Sequence, residues 1–521
     1  MVTILYLACQ TKGYSIFPTV DDYSHWATKS RIITVNDRLI NGTDKITAKD
    51  YPSNVALFHY YFTHFTGFKE NVAIFSNGLF ILILTSTILT PLKAAHGEKF
   101  KTILVLSVLS ILSLIWILGQ GLHTLQVDLI LGVSFGASLS SYFNSQQKSK
   151  TYRFLLTFPL IIFMTQTKQI GILFSLFAII LITTDYLLPP NKFLKNKLLI
   201  ISGLSLSIIL ITKSWELYLE SNSINKTFQV NISITNIFSA FDPQVLNSHH
   251  SETIKNFINY IFFQHHLSTY WFLLTLITLA AIFKEKKMLF TSVQSIPYIG
   301  VYIAFSVYML TLLLLYLFSF SAWEGVRLAS IDRYTITFLL GMLIFFGSSL
   351  IFTITTHKKI ENPKFILFIV FLFIFPNLGR LTLDSYKTIF NLDSEYTAGE
   401  IKRIADFTLK KIPTNSSVYF IWTDGTDDHS VIFNYFMNPR KTNTNCSSIK
   451  PSNAGKDPND PWSCHLSLQE FNAKIIDYDY LLIAHASDNF WKYFLADVTG
   501  NIGDVRLFHI VNDGEITLHE I

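Results

Sequence analysis

The strongest local signal for chemistry is the run Asp21-Asp22-Tyr23-Ser24-His25-Trp26-Ala27-Thr28-Lys29-Ser30-Arg31. Two adjacent carboxylates precede a histidine, a tryptophan and two basic residues. A carboxylate placed here could take a proton from an acceptor hydroxyl during group transfer. The bland alternative is a solvated acidic turn, or a helix cap formed by Asp22. Downstream lie Asp50-Tyr51-Pro52-Ser53-Asn54 and an aromatic run at 58–62.

Four more ionisable residues sit at the edges of apolar stretches. Asp128 is expected about a turn inside the outer end of a span, where a carboxylate is costly and reads as functional by default. Its alternative is an interfacial residue bonded to a neighbouring helix. Lys168 lies in the short turn Thr165-Gln166-Thr167-Lys168-Gln169. It could hold a lipid phosphate as a point charge, or snorkel to the headgroups. Arg327 and Arg333 belong to the loop 323–334. Arginine offers planar, bidentate recognition of phosphate; the alternative is ion pairing with Glu324 or Asp332.

The elements that must position these groups follow from hydropathy. The chain has 521 residues, half of them hydrophobic and 15% charged, with mean hydropathy +0.37. Soluble chains carry roughly 25% charged residues. Apolar runs recur, most near the ~18–20 residues that cross a ~30 Å hydrocarbon core. About ten spans are expected, at 72–92, 102–120, 125–143, 153–165, 169–188, 197–212, 270–283, 297–320, 334–356 and 364–376. The fold class is mainly α: a polytopic transmembrane bundle of about ten to eleven spans with a small extracytoplasmic α/β domain at the C-terminus. Residues 1–71 form an N-terminal stub and first outer loop, 72–380 the transmembrane domain, and 381–521 the outer domain.

Alternate loops fix the orientation. Lysines 93, 99 and 101, then 148 and 150 with Arg153, then 192, 195 and 197, then 284, 286 and 287, then 358, 359 and 364 fall in every second loop. The positive-inside rule places all five in the cytoplasm. The formal charge of +5 resides largely in such clusters, so it is read as topology and not as nucleic-acid binding. The acid segment, the turn near His123, the turn holding Lys168, the loop 214–268, the loop 321–332 and the tail then share the outer face. Residues 2–9 are apolar but too few to span, and a preceding helix is expected to be missing.

In the tail, residues 400–411 have helical spacing, 417–422 and 478–484 read as buried strands, 431–437 as helix or strand, and 442–462 as a long loop. Residues 466–475 and 488–497 look helical, and 505–511 and 515–521 look like closing strands. No glycine-rich phosphate loop occurs. Cys446 and Cys464 could pair in an oxidising compartment; the sequence leaves pairing and free thiols equally open.

The acids and bases come from distant parts of the chain, yet the topology gathers them at one membrane face. Cations would hold a lipid phosphate and the charge that develops as it leaves. The motifs, in this order, resemble the GT-C superfamily of integral membrane glycosyltransferases: an acid pair in the first outer loop, a Tyr-Pro-Ser motif, Thr167-Lys168-Gln169-Ile170-Gly171, and Ser330-Ile331-Asp332-Arg333-Tyr334 late in the chain. The likeness is closest to bacterial members related to protein mannosyltransferases and the lipid A aminoarabinose transferase, and it covers about 21–383. One departure is the transmembrane helix that the family carries before its acid pair, of which this chain has at most a stub.

The resemblance implies a polyprenyl-phosphate-linked sugar donor, usually inversion at the anomeric carbon, and a glycan, lipid or protein acceptor at the periplasmic face of the inner membrane. It maps the catalytic acids onto Asp21 and Asp22, with Asp21 favoured as base. It maps donor phosphate binding onto Lys168 and Arg333, to which Arg327 is added. His25, Trp26 and Asp128 are candidates for substrate contact. No cofactor is required; some relatives use a divalent metal, but no ligand spacing here demands one. His249-His250 and His265-His266 read as loop residues. Competing classes are an O-antigen ligase or polymerase, which would use the loop 214–268, and a polysaccharide or lipid transporter, which would show internal repeats and midplane charges.

Overall fold

The computed structural model describes residues 17–89, 124–145, 149–187, 194–227, 248–263, 296–356, 395–423, 428–443, 446–453, 463–495, 505–512 and 516–521. The expected spans 102–120, 270–283 and 364–376, the histidines at 265 and 266, and the first sixteen residues lie outside them.

A π-helical turn, Asp22–Trp26, runs into α1 (Ala27–Asn36); α2 (Asn54–Thr66) and α3 (Glu70–Thr85) follow. Then come α4 (Asp128–Phe143), α5 (Lys150–Thr165), α6 (Gly171–Leu187), α7 (Leu194–Ser221), α8 (Ser248–Phe263), α9 (Ile296–Phe318), the short α10 (Ala322–Arg327) and α11 (Ile331–Thr356). Among the described residues, four helices are long and apolar enough to cross a membrane: Glu70–Leu89, Lys195–Ser221, Ile296–Phe318 and Ile331–Ser349. Gly171–Leu187 is a shorter apolar helix. The mainly α membrane architecture expected from hydropathy is present.

The bounds differ where local chemistry overrides hydropathy. α7 continues to Ser221, so 214–221, expected as outer loop, is helix. Trp215 is stacked on Tyr218 with centroids 5.3 Å apart, and a Lys213–Glu216 ion pair of 2.6 Å supports the same turn. The acid segment is helical, not a solvated turn. His249 and His250, expected in a loop, stand in the first turn of α8.

The α4–α11 contact positions the site. Gly132 and Gly136 are spaced to lie on one face of α4, the small-residue pattern that lets membrane helices approach closely. A Cβ on Gly132 would fall 2.2 Å from the Thr337 carbonyl oxygen, and one on Gly136 2.6 Å from that of Gly341. Further along, Ser140 donates to the Ile344 carbonyl (3.3 Å) and Asn144 to the Ser348 hydroxyl (2.8 Å). Asp128 stands one turn before Gly132, and Arg333 one turn before Thr337. The glycine contact therefore brings these two charges together.

The tail comprises α12 (Glu395–Lys411), β1 (Val418–Trp422), α13 (Asp428–Met437), β2 (Ile449–Pro451), β3 (Cys464–Leu466), α14 (Leu468–Ile475), β4 (Tyr480–His485), α15 (Asp488–Phe494), β5 (Arg506–Asn512) and β6 (Ile516–Glu520). The main sheet has the order β1-β4-β5-β6, with β1 parallel to β4 and the other pairs antiparallel. This is the α/β domain expected. The stretch 442–462, read as loop, contributes β2, which pairs with β3 beside a Cys446–Cys464 disulfide. A continuous apolar core joins Phe17, Tyr23 and Trp26 to Ile130 and Val133 of α4 and to Phe420, Phe433 and Tyr435 of the tail.

Candidate functional site

Asp128 is the first residue of α4 and only 2% exposed. The helix N-terminus favours its negative charge. Its Oδ1 accepts from Lys168 Nζ at 2.8 Å, and its Oδ2 faces Arg333 Nε at 3.5 Å. Lys168 is carried by the tight turn between α5 and α6. Its Nζ also lies 4.8 Å from the centre of the Tyr334 ring. Arg333 lies in the first turn of α11, and its Nη1 pairs with Asp21 Oδ2. Asp21, Asp128, Lys168 and Arg333 thus form one cluster of two acids and two bases. The expected Asp332 and Glu324 partners are engaged elsewhere: Tyr260 donates to Asp332, and Glu324 closes a capping box with Ser321.

The two members of the acid pair differ. The Asp21 side chain is 37% exposed. Burial pushes its pKa up, but the Arg333 guanidinium beside it and Lys168 outweigh this and hold it below the usual carboxylate value. Asp22 is fully buried. Its Oδ1 accepts from Thr124 Oγ1 (2.9 Å) and Leu125 N (2.8 Å), and its Oδ2 from Thr19 Oγ1 (2.8 Å). Burial raises it to about 7. Asp22 neither caps a helix nor faces solvent; it fastens the acid segment to the loop that leads into α4.

His25 bonds Ser24 Oγ through Nδ1 at 2.6 Å, and burial lowers it to about 3, so it is neutral. Trp26 is buried and stacked on Tyr51, with centroids 5.3 Å apart. Arg327 is exposed on α10, its guanidinium 4.3 Å over Trp323; the ion pairs of the cluster run through Lys168 and Arg333. His249 and His250 stack with centroids 4.1 Å apart. Among the described residues, His, Cys, Asp and Glu form no group of three or more able to hold a metal ion.

Sequence reasoning missed several supporting residues. Lys29 is buried, donates to the Tyr51 carbonyl at 2.6 Å, and is lowered by burial to about 7. Asp50 accepts from Gln169, the neighbour of Lys168, at 2.6 Å and from Thr227 at 2.5 Å. A buried chain runs from Ser30 through His59 and Asn77 to the Thr124 carbonyl. Lys29 and Ser30 stood in the acid-segment run and Asp50 in the Asp50-Tyr51-Pro52-Ser53 motif, but the sequence assigned none of them a supporting role.

No family model and no curated protein matches the sequence. Solved structures that resemble the fold include two of ArnT from Cupriavidus metallidurans. One is in the apo state (12% identity, 97% of this chain and 95% of that chain, TM-score 0.49). The other is bound to undecaprenyl phosphate (12% identity, 97% and 96%, TM-score 0.50). At this identity the likeness is one of fold, and nearly the whole of each chain takes part. The chain shares its fold with ArnT, in line with the likeness that its motifs carried.

Proposed function

We propose that this chain is a membrane glycosyltransferase that moves a sugar from a polyprenyl-phosphate donor to an acceptor hydroxyl. The observation that carries the reading is the four-charge cluster built around Asp128 at one end of the bundle. Its neighbour in fold, ArnT, has been seen with undecaprenyl phosphate bound.

The chemistry follows from the charges. Two acids and two bases leave the cluster with no excess positive charge, so a phosphate must replace one acid. Asp21 is the more exposed acid, and it holds the guanidinium best suited to phosphate. The donor phosphate takes Arg333 and Lys168, and Asp128 keeps both cations aimed. Asp21, released from Arg333, returns toward the ordinary carboxylate range and becomes a better base. It accepts the acceptor's proton as the new bond from acceptor oxygen to the anomeric carbon forms. The bond from that carbon to the phosphate oxygen breaks, and the lipid phosphate leaves with the electron pair, stabilised by the two cations.

The sidedness rests on the basic loops: Lys150, Arg153 and Lys197, assigned to the cytoplasm by the positive-inside rule, lie at the opposite end of the bundle from Asp128 and Lys168. The Cys446–Cys464 disulfide suits an oxidising compartment for the tail. On this reading the protein sits in the inner membrane with its tail in the periplasm, and a periplasmic glycan, lipid or protein is the acceptor.

The test is Asp21→Asn in membranes supplied with a labelled polyprenyl-phosphate sugar. Transfer is expected to fall by about 10²–10⁴-fold, whereas Asp185→Asn, at the other end of the bundle, retains it. Equal transfer by Asp21→Asn and wild type, at equal expression, refutes the assignment of the base.

A further inference from the structure

Among the described residues, the tail meets the acid segment at α13 and the residue that follows it. Tyr435 sits at the centre of that contact and is almost fully buried. Its ring meets Tyr23 edge-on, with centroids 5.2 Å apart, and Phe17 at 6.1 Å. Its hydroxyl donates to Glu70 Oε1, at the start of α3, at 3.0 Å. Its carbonyl accepts from Arg31 Nη1 at 2.6 Å, and Arg31 Nη2 also donates to the Asn438 carbonyl at 3.3 Å. Those carbonyls belong to the C-terminal end of α13, where a cation is favoured by the helix dipole and by unsatisfied acceptors. Arg31 of the acid segment therefore caps a helix of the tail.

Tyr23 completes the link. It directly follows the acid pair, and its hydroxyl both donates to the Phe17 carbonyl (3.0 Å) and accepts from the Phe17 amide (2.9 Å). The tail thus fixes the chain just before and just after Asp21-Asp22. On the other side, the Asp22 carboxylate fixes it to residues 124 and 125. α13 is in turn held to the sheet, for Phe433 stacks on Phe420 of β1 with centroids 4.3 Å apart.

We propose that the C-terminal domain is the positioning element for the acid pair, with Tyr435 and Arg31 as the positioning residues that act through Tyr23. This rests on the transferase reading for its kinetic consequence but not for its structural one. Asp21 touches the tail nowhere in this chain of contacts; its place opposite Arg333 is set by the clamp formed by Tyr23 and Asp22.

The experiment uses the full chain in lipid nanodiscs, with Tyr435→Ala, Tyr435→Phe and Arg31→Met. The first readout is hydrogen exchange of the amides at 22–36. Loss of the ring contacts and the bonds is expected to speed it by about tenfold in Tyr435→Ala and Arg31→Met. Tyr435→Phe, which keeps the ring, falls between these and wild type. Exchange in β1 and β4 stays at wild-type rates, which shows that the tail is folded. If Tyr435→Ala also loosens β1 and β4, Arg31→Met and Tyr435→Phe decide. Unchanged exchange at 22–36 with a folded tail overturns the proposal. The second readout is transfer, where kcat is expected to fall with the donor KM unchanged or lowered, since Asp21 competes with the donor phosphate for Arg333; a raised donor KM at constant kcat overturns the positioning role. Should wild type transfer no sugar, the exchange data still decide whether the tail holds the acid segment.

Discussion

The two ends of the α4–α5–α6 bundle use the same residue types for different ends. At one end, Lys150 pairs with Asp185 at 2.8 Å and donates to the Asp185 carbonyl, also at 2.8 Å. Lys197 donates to the Tyr186 carbonyl (2.7 Å) and Arg153 to the Tyr142 carbonyl (3.1 Å). Each carbonyl lies in the last turn of α4 or α6, where the backbone has acceptors without helical donors. Those cations serve as helix caps. At the other end, Lys168 and Arg333 meet two carboxylates, one buried at a helix N-terminus and one more exposed, and their described bonds run to no helix-end carbonyl. A charge at membrane depth is thus informative through its partner. Bonded to a helix terminus it closes the backbone; bonded to carboxylates alone, it is the candidate for chemistry.

The largest expected effect comes from prising apart the helices that create the second end. Gly136→Leu would drive a side chain into the Gly341 carbonyl and the Ile344 side chain, at 2.6 and 2.7 Å. Overpacking costs about 1–3 kcal/mol of stability. Because Asp128 and Arg333 ride on the two helices, sugar transfer should fall by about 100-fold, as for a ~1 Å misplacement of reacting groups. Gly203→Leu in α7, where nothing lies within 4 Å of a new Cβ, should leave transfer unaltered. Equal transfer by both variants would show that the close approach does not set the site.

A smaller effect separates the two kinds of cation. Arg333→Lys keeps the charge but loses the fork that spans Asp21 and Asp128, and should raise the donor KM by about tenfold. Lys150→Arg keeps a cation able to donate to the helix end, and its donor KM should match that of wild type. A donor KM that moves equally in both would erase the distinction between the ends.

The sequence disclosed much of the architecture because membrane spans and cation-rich loops are signals of composition. It marked Asp21 through the acid-pair motif, and Asp128, Lys168, Arg327 and Arg333 because charges beside apolar runs are rare; of these, Arg327 lies outside the ion pairs of the cluster. It could not disclose that the other four pair with one another. The pairing depends on Gly132 and Gly136 meeting α11 about two hundred residues later, and a glycine pair carries no mark of its partner. Nor does an acid pair say which member points where: Asp22 was read as a second catalytic candidate, and its three donors come from Thr19, Thr124 and Leu125. The helix beneath it was obscured because the apolar positions Tyr23, Trp26, Ala27, Ile32 and Ile33 are interleaved with buried Thr28, Lys29 and Ser30. The disulfide was open because cysteine spacing alone fixes no geometry.

The smallest effect concerns Asp22 and is visible only as a difference. Its folded pKa of about 7 exceeds the ordinary carboxylate value of ~3.9. The folded state therefore binds the proton more tightly, so this contribution is complete below about pH 4 and is lost as pH rises toward 7. His25 and His59 run the other way: burial lowers them to about 3 and about 4, so what they contribute is present above their ordinary value and lost as pH falls. Wild-type stability alone would blend the two trends. Asp22→Asn removes one and leaves the other. Its melting temperature relative to wild type should thus rise by about 5 °C between pH 5 and pH 8, since the variant escapes the cost of ionising a buried acid. The corresponding curve for Asp21→Asn should be flat over that window, because Arg333 and Lys168 keep Asp21 ionised throughout it. Parallel curves for Asp22→Asn and wild type would mean that the buried carboxylate is ionised at both pH values. It would then be a charged member of the site and not its neutral anchor.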